Sequence, residues 1–343
     1  MSHLHIDLLA TLSTMLKELY GFRFIADLQP ILGGYTTQNF SFSDEEALFF
    51  LKRYNTLDTA RMHTIAMAHQ RLTSGNIPIV LPLMTHRHEL AFFLDEAWWG
   101  VFPFVQGRTY HSSELTPALA HELGLILGHI HIKGLASRKD DIEPIMLWNK
   151  DVFTSDQVAL EYVYEHQKNK REVDTIAISN IRLQAEFVAT HSLTVSDLHQ
   201  ENNCLIHGDF THNNVFFDEH GHVKWIFDLD KACVAPRAYE LARSVLITCF
   251  DHGWDEKSFQ LADEFLRSYL RVYPMGFDEF KLGFQIYITY FMHTTWLEKK
   301  VILYQSEHHE PFIFTSHRRL LHLLEDFDTL AERLYPTSGD DIW

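Results

Sequence analysis

LIHGDFTHNNVFFDEHGHVKWIFDLDKA, residues 205–232, is the stretch on which the reading of this chain turns. Two short apolar runs, NNVFF and VKWIF, flank a DEHGH turn, which is the pattern of a β-hairpin. The polar residues His207, Asp209, Asn214, Asp228 and Asp230 are spread around it. Asp209 follows an apolar pair and His-Gly, which places it on a tight loop. Asn214 opens the first hairpin strand and Asp228 closes the second, so strand pairing sets their oxygens side by side next to Asp209. A carboxylate with an amide oxygen is a hard-ligand set suited to Mg2+, with nucleotide phosphates completing the shell. A further carboxylate beside a hydroxyl can accept its proton during phosphoryl transfer. The competing reading is a hairpin whose turn acids only hydrogen-bond their own loops.

Working outward from this hairpin, the chain divides near Gly107. Residues 1–20 read as an amphipathic helix. NFSFS alternates like a strand, DEE marks a turn, and ALFFLKRY is an apolar run fit for a buried strand. Residues 58–74 carry helix formers and stop at Gly75, a C-cap signal. Ile77–Met84 holds two prolines and reads as an extended connection. ELAFFLDEAWWGVFPFV reads as two strands across a DE turn. On the far side, Thr116–Leu135 has apolar residues at helical spacing with Pro117 in the first turn. One helical region is expected over 156–198, and another over 237–334 with breaks near Gly253 and Pro274–Gly276. The expectation is an α+β fold of two lobes. Residues 1–106 form a small antiparallel sheet with one main helix, and residues 107–343 form a larger, mainly helical lobe holding the hairpin.

The chain has 343 residues, 46% of them hydrophobic, enough for a sizeable core without metal or disulfide staples. Its formal charge of −17 argues against nucleic acid and anionic membranes as partners and suits a cationic small molecule. Cys204, Cys233 and Cys249 form no CxxC motif, and the first residues lack the features of a signal peptide, so a cytoplasmic protein is expected. Nothing in the composition indicates an oligomeric state.

HGD, Asn five residues after its Asp, an apolar hairpin, DLD and PRAYELA (residues 236–242) together resemble the core of the aminoglycoside phosphotransferase-like and choline kinase-like small-molecule kinases. That superfamily has a protein-kinase-like fold. The resemblance implies an ATP- and Mg2+-dependent transfer of the γ-phosphate to a hydroxyl of an amino alcohol, amino acid, sugar or aminoglycoside. It implies that Asp209 is the catalytic base, that Asn214 and Asp228 bind Mg2+, and that His207 structures the loop. Asp230 stands between a secondary metal or substrate contact and a loop-structuring role. Glu240 occupies a position where the family usually has Asp and is given a structural role. ILGGYTTQNFSF resembles the strand–turn–strand over ATP phosphates, which assigns Gly33 and Gly34 to nucleotide binding. Lys52 resembles the strand lysine on the α- and β-phosphates. Phe102 to Val105 fall in the lobe-joining segment, with Phe102 and Phe104 as adenine contacts. His131 lies on a stretch similar to the family's Leu-Gly-x2-Leu-Ala-x2-His helix and is read as packing or loop-bracing. Tyr290, Phe291 and Trp296 are candidates for a cation-binding wall, or else core.

One departure stands out. Kinases pair the strand lysine with a glutamate on the following helix, and residues 58–76 contain no glutamate. His63, His69 and Gln70 are the nearest substitutes. This keeps a second reading open, a nucleotide-binding pseudokinase acting as a regulatory module. A third is a metal-dependent phosphohydrolase built on His207, His212, His220 and His222.

Overall fold

The computed structural model describes residues 3–31, 39–45, 47–54, 58–135, 148–191, 193 and 203–336. The expected glycine pair Gly33 and Gly34 lies outside the described residues. The N-terminal part opens with helix α1 (His3–Tyr20) and strands β1 (Ala26–Pro30), β2 (Phe40–Asp44) and β3 (Ala47–Arg53). Helix α2 (Thr59–Ser74) follows, then β4 (Phe92–Leu94) and β5 (Ala97–Pro103). The strands make one antiparallel sheet in the order β1-β2-β3-β5-β4.

Side-chain alternation with period two divides the two faces of this sheet. Phe40, Phe42, Leu51, Trp99 and Val101 pack on Leu12 and Leu16 of α1. Lys52 and Tyr54 point the other way, where Tyr54, Met62 and Ile65 share a cluster beneath α2. Lys52 pairs in register with Gly100, which presents no side chain there; a Cβ on Gly100 would stand 3.0 Å from the Tyr54 ring. The strand pattern therefore buries the lysine on the face toward the hairpin. Asp58 caps α2 by accepting from the Ala60 amide at 2.9 Å, and Gly75 ends it as expected.

The C-terminal part holds α3 (Pro117–Gly134), α4 (Lys150–His166) and α5 (Glu172–Thr190), then β6 (Asn203–Ile206), β7 (Val215–Phe217), β8 (Val223–Ile226) and β9 (Cys233–Pro236). Helices α6 (Arg237–Cys249), α7 (Glu256–Val272), α8 (Phe277–Met292), α9 (Trp296–Ile302), α10 (Glu310–Glu325) and α11 (Leu330–Leu334) complete it. The hairpin β7–β8 is present, pairing Val215 with Ile226. CVAP, which has no alternating pattern of its own, becomes β9 by pairing antiparallel with β6. The helical region expected over 156–198 is two helices. Asn149 caps α4 from further upstream, and the chain turns extended at Gln167 before Arg171 starts α5 with a charge-assisted bond to Asp174. The breaks near Gly253 and Pro274 are where they were expected, with further breaks after Met292 and Ile302.

The hairpin also joins the two parts. Ile79 bridges Ile226 on one side of it, and Arg108 bridges Phe217 on the other. The α2–β4 connection and the segment leaving β5 thus both run along the hairpin that carries the polar residues. Among the described residues no helix is long and apolar enough to cross a membrane.

Candidate active site

The loop between β6 and β7 is built on a buried carboxylate. Glu240, fully buried on α6, accepts from the His207 amide at 2.9 Å and from the Gly208 amide. His131 of α3 donates to the same carboxylate at 3.0 Å, and its other ring nitrogen shares a 2.8 Å hydrogen bond with the Tyr269 hydroxyl. Burial alone would raise the Glu240 pKa; His131 and the backbone amides outweigh it and hold the group ionised. Gly208 has φ +80, and a Cβ there would lie 1.9 Å from the Lys231 carbonyl oxygen, so only glycine fits the turn. His207 donates from Nε2 to the Phe227 carbonyl at 3.0 Å and accepts the Asp209 amide at Nδ1 at 3.3 Å. His207 thereby clips the Asp209 loop to the end of β8, and His131 braces Glu240 beneath it.

Asp209 emerges from this loop between two cations. Lys231 donates to Oδ2 at 3.0 Å, and Arg243 of α6 donates to Oδ1. Burial pushes the carboxyl pKa up, but the guanidinium and the ammonium reverse that and hold it well below the usual carboxylate range. An anion so stabilised is a weak proton acceptor.

Asn214 donates from Nδ2 to the Asp209 carbonyl at 2.8 Å, which commits its NH2 to the loop and leaves the amide oxygen as the acceptor end. The Phe227 amide donates to the Asn214 carbonyl at 3.1 Å, so Asn214 and Asp228 lie across from each other at the open end of the hairpin. Asp228 adopts a left-handed backbone, φ 70 and ψ 65, uncommon for a residue other than glycine and often found at functional sites.

Lys52 reaches this place from β3. It is 8% exposed, and its Nζ donates to Asp228 at 2.9 Å and to Asp230 at 2.7 Å. Burial works against its charge, but Asp230 and Asp228 outweigh it and raise its pKa. Two half-buried carboxylates share this one ammonium. Asp228 is held below its usual range, whereas burial pushes Asp230 up to about 6. A half-buried pair of carboxylates already gathering a cation, beside the Asn214 amide oxygen, suits a hard divalent ion with phosphates as co-ligands. No cluster of three or more His, Cys, Asp or Glu able to hold a metal by itself occurs among the described residues.

The substitutes proposed for the missing helix glutamate do not hold the lysine through any hydrogen bond. His63 and Gln70 are exposed. His69 is buried against Phe102, with ring centroids 6.2 Å apart. Burial and the nearby Lys52 charge push its pKa down to about 3. From α2 it is Arg61 that reaches the site, donating to the backbone carbonyls of Asp230 and Ala232. Arg61, Lys231 and Arg243 were not singled out in the sequence. Arg243 could have been found, because it lies three residues after Glu240 and so shares its helix face.

Phe102 lies at the end of β5 behind Lys52, and Phe104, 49% exposed, follows it with its amide donating to the Leu48 carbonyl. Tyr290 packs edge-on to Tyr239, while Trp296 packs edge-on to His309, so these aromatics face different neighbours. The four histidines of the hairpin region do not gather either. His207 and His212 are buried, and His220 and His222 are exposed on the turn.

The model of the phosphotransferase enzyme family matches residues 27–280. The chain belongs to that family. Curated proteins offer no match. Similar solved structures include an amicoumacin kinase in complex with AMP-PNP, Ca2+ and its antibiotic, with a TM-score of 0.65 at 13% identity over 93% of this chain and 96% of that one. A microcompartment-associated aminopropanol kinase gives 0.64 at 13% identity over 95% and 99%. A spectinomycin phosphotransferase bound to ADP and spectinomycin gives 0.62 at 15% identity over 95% and 98%. At these identities the likeness is one of fold, and it confirms the protein-kinase-like architecture. The family match does not favour the pseudokinase reading.

Proposed function

We propose that this phosphotransferase moves the γ-phosphoryl group of ATP to a hydroxyl of a small molecule, with Mg2+. The observation that carries the reading is the convergence of Asp209, Asn214 and Asp228 at one end of the β7–β8 hairpin, with Lys52 reaching in from the other lobe. Phosphoryl transfer needs positioning and charge neutralisation more than covalent help. Asp209 aligns the acceptor hydroxyl and takes its proton late. Lys52 serves the α- and β-phosphates, with Phe102 and Phe104 toward the adenine. Asn214 and Asp228 are the metal ligands; Mg2+ held there offsets charge on the β- and γ-oxygens.

The acceptor class is an amino alcohol, amino acid, sugar or aminoglycoside. Fold neighbours that act on aminopropanol and on antibiotics support a small molecule. The chain's acidity supports a cationic one.

The test is a Mg2+–ATP consumption screen over these acceptor classes, with Asp209→Ala as control. The expected result is turnover with at least one class and its loss in the variant. Full turnover by Asp209→Ala would remove Asp209 from the chemistry.

A further inference from the structure

Asp228 and Asp230 both accept from Lys52, but they are attached differently. Asp228 ends β8 opposite Asn214, and its side chain also accepts the Asp230 amide at 3.4 Å. Asp230 lies on the 3-10 turn that follows, and that turn is clasped from the other lobe, with Arg61 of α2 donating to the carbonyls of Asp230 and Ala232. Helix α2 thus contacts the lysine site by holding the Asp230 backbone, and contributes no acid of its own. The chain of contacts runs from α2 through Arg61 to the Asp230 backbone, then through the Asp230 carboxylate to Nζ of Lys52 at 2.7 Å.

Resting on the kinase reading above, we propose that Asp230 is the positioning residue for Lys52, doing in this chain what a helix glutamate does in other kinases, and that the metal is left to Asn214 and Asp228. A buried ammonium without a carboxylate is costly. With Asp228 committed to a divalent cation, Asp230 is the carboxylate left to aim Lys52. The position of α2 is then read out at the lysine through Arg61, so helix and lysine remain coupled although the usual ion pair between them is absent.

Two measurements on the full chain separate this role from metal binding. One is the Mg2+ concentration that half-saturates ADP binding. The other is the rate at which a small amine-reactive ester acylates Lys52, read by peptide mass spectrometry with saturating Mg2+ and ADP absent. For Asp230→Asn the Mg2+ requirement stays within about threefold of wild type, whereas Asp228→Asn raises it by about tenfold or more. Acylation of Lys52 in Asp230→Asn speeds up by about tenfold, as expected when Nζ loses the charge-assisted hydrogen bond that anchors it. Asp230→Glu, which keeps the carboxylate, stays within about threefold of wild type on both measurements and serves where the asparagine variant folds poorly.

A rescue tests positioning directly. His69 is buried on α2, close enough to feel the Lys52 charge, and its Nδ1 has no hydrogen-bond partner. Adding His69→Glu to Asp230→Asn returns the helix carboxylate and slows Lys52 acylation back toward the wild-type rate. A Mg2+ requirement that shifts as far in Asp230→Asn as in Asp228→Asn, or Lys52 acylation unchanged by Asp230→Asn, overturns the assignment and leaves the kinase reading in place. A wild-type chain that binds no ADP at any Mg2+ concentration overturns the kinase reading and, with it, this assignment.

Discussion

Asp209 shows how much chemistry one residue draws from its neighbours. A carboxylate on a buried loop would ordinarily titrate high, yet Arg243 and Lys231 keep it ionised far into the acid range. Arg243 is itself buried on α6 and Asp209 is half-buried, so removing one partner leaves the other poorly compensated. Arg243→Gln is expected to lower kcat by about a hundredfold, a typical size for disturbing a positioned acid–base group. It should also move the acid limb of the kcat profile to higher pH. The sign follows from the depressed Asp209 pKa: activity that needs the carboxylate ionised persists to low pH in the wild type, and losing one cation lets protonation begin earlier. A pH–rate series on both proteins checks this, and an unmoved acid limb would show that Arg243 does not set the Asp209 charge.

Elements matter here by the faces they present. Helix α6 offers Glu240 to the backbone of the β6–β7 loop and Arg243 to its acid, three residues apart on one face. A second buried acid, Glu298 on α9, has a plainer environment. It is 3% exposed, and the Asn180 amide of α5 donates to it at 3.1 Å. Asn180 in turn bonds His317 of α10 at 2.7 Å, which ties three helices together. Burial pushes the Glu298 pKa up to about 7 from 4.5. The folded state therefore keeps a proton that the unfolded chain releases. Stability falls as pH rises from about 4.5 to about 7 and levels off above, by roughly 3 kcal/mol at most. Glu298→Gln should raise Tm over wild type at pH 8, and the gap should close near pH 4.5. Equal Tm differences at both pH values would place the Glu298 proton elsewhere.

At the scale of the molecule, the hairpin is both the seam between the lobes and the platform for the site. Ile79, on the α2–β4 connection, and Arg108, after β5, bridge its two strands, and Lys52 and Arg61 cross to the loop at its end. A ligand seated at this seam binds the folded state alone, so it stabilises the whole chain. At a nucleotide concentration a hundred times Kd the gain is about 2.7 kcal/mol, which a thermal melt detects. We expect Mg2+–ADP to raise Tm in wild type and in Asp209→Ala, whose nucleotide affinity should stay within a few-fold. Asp228→Ala should lose most of the shift. A full shift in Asp228→Ala would take that residue out of the metal site.

Much of this was legible in the linear chain. HGD, the asparagine five residues on, the apolar hairpin and the DLD segment carry the loop and the facing Asn214 and Asp228, because hairpin pairing is local and its ends must meet. Strand alternation likewise settled that Leu51 and Lys52 point to opposite faces. Local signals also marked α2 and α3 by their caps. What the chain order did not reveal is everything that depends on distant partners. β9 exists only through β6, the helical stretch before the hairpin divides where Arg171 finds Asp174 and Glu310, and the counter-charges of Asp209 come from α6 and from the turn after β8. The absent helix glutamate shows the difference most plainly. The sequence by itself determined that α2 has no acid to give. Only the tertiary structure decided that Lys52 finds its carboxylates 176 and 178 residues away, because ion pairing depends on distance in space and not along the chain.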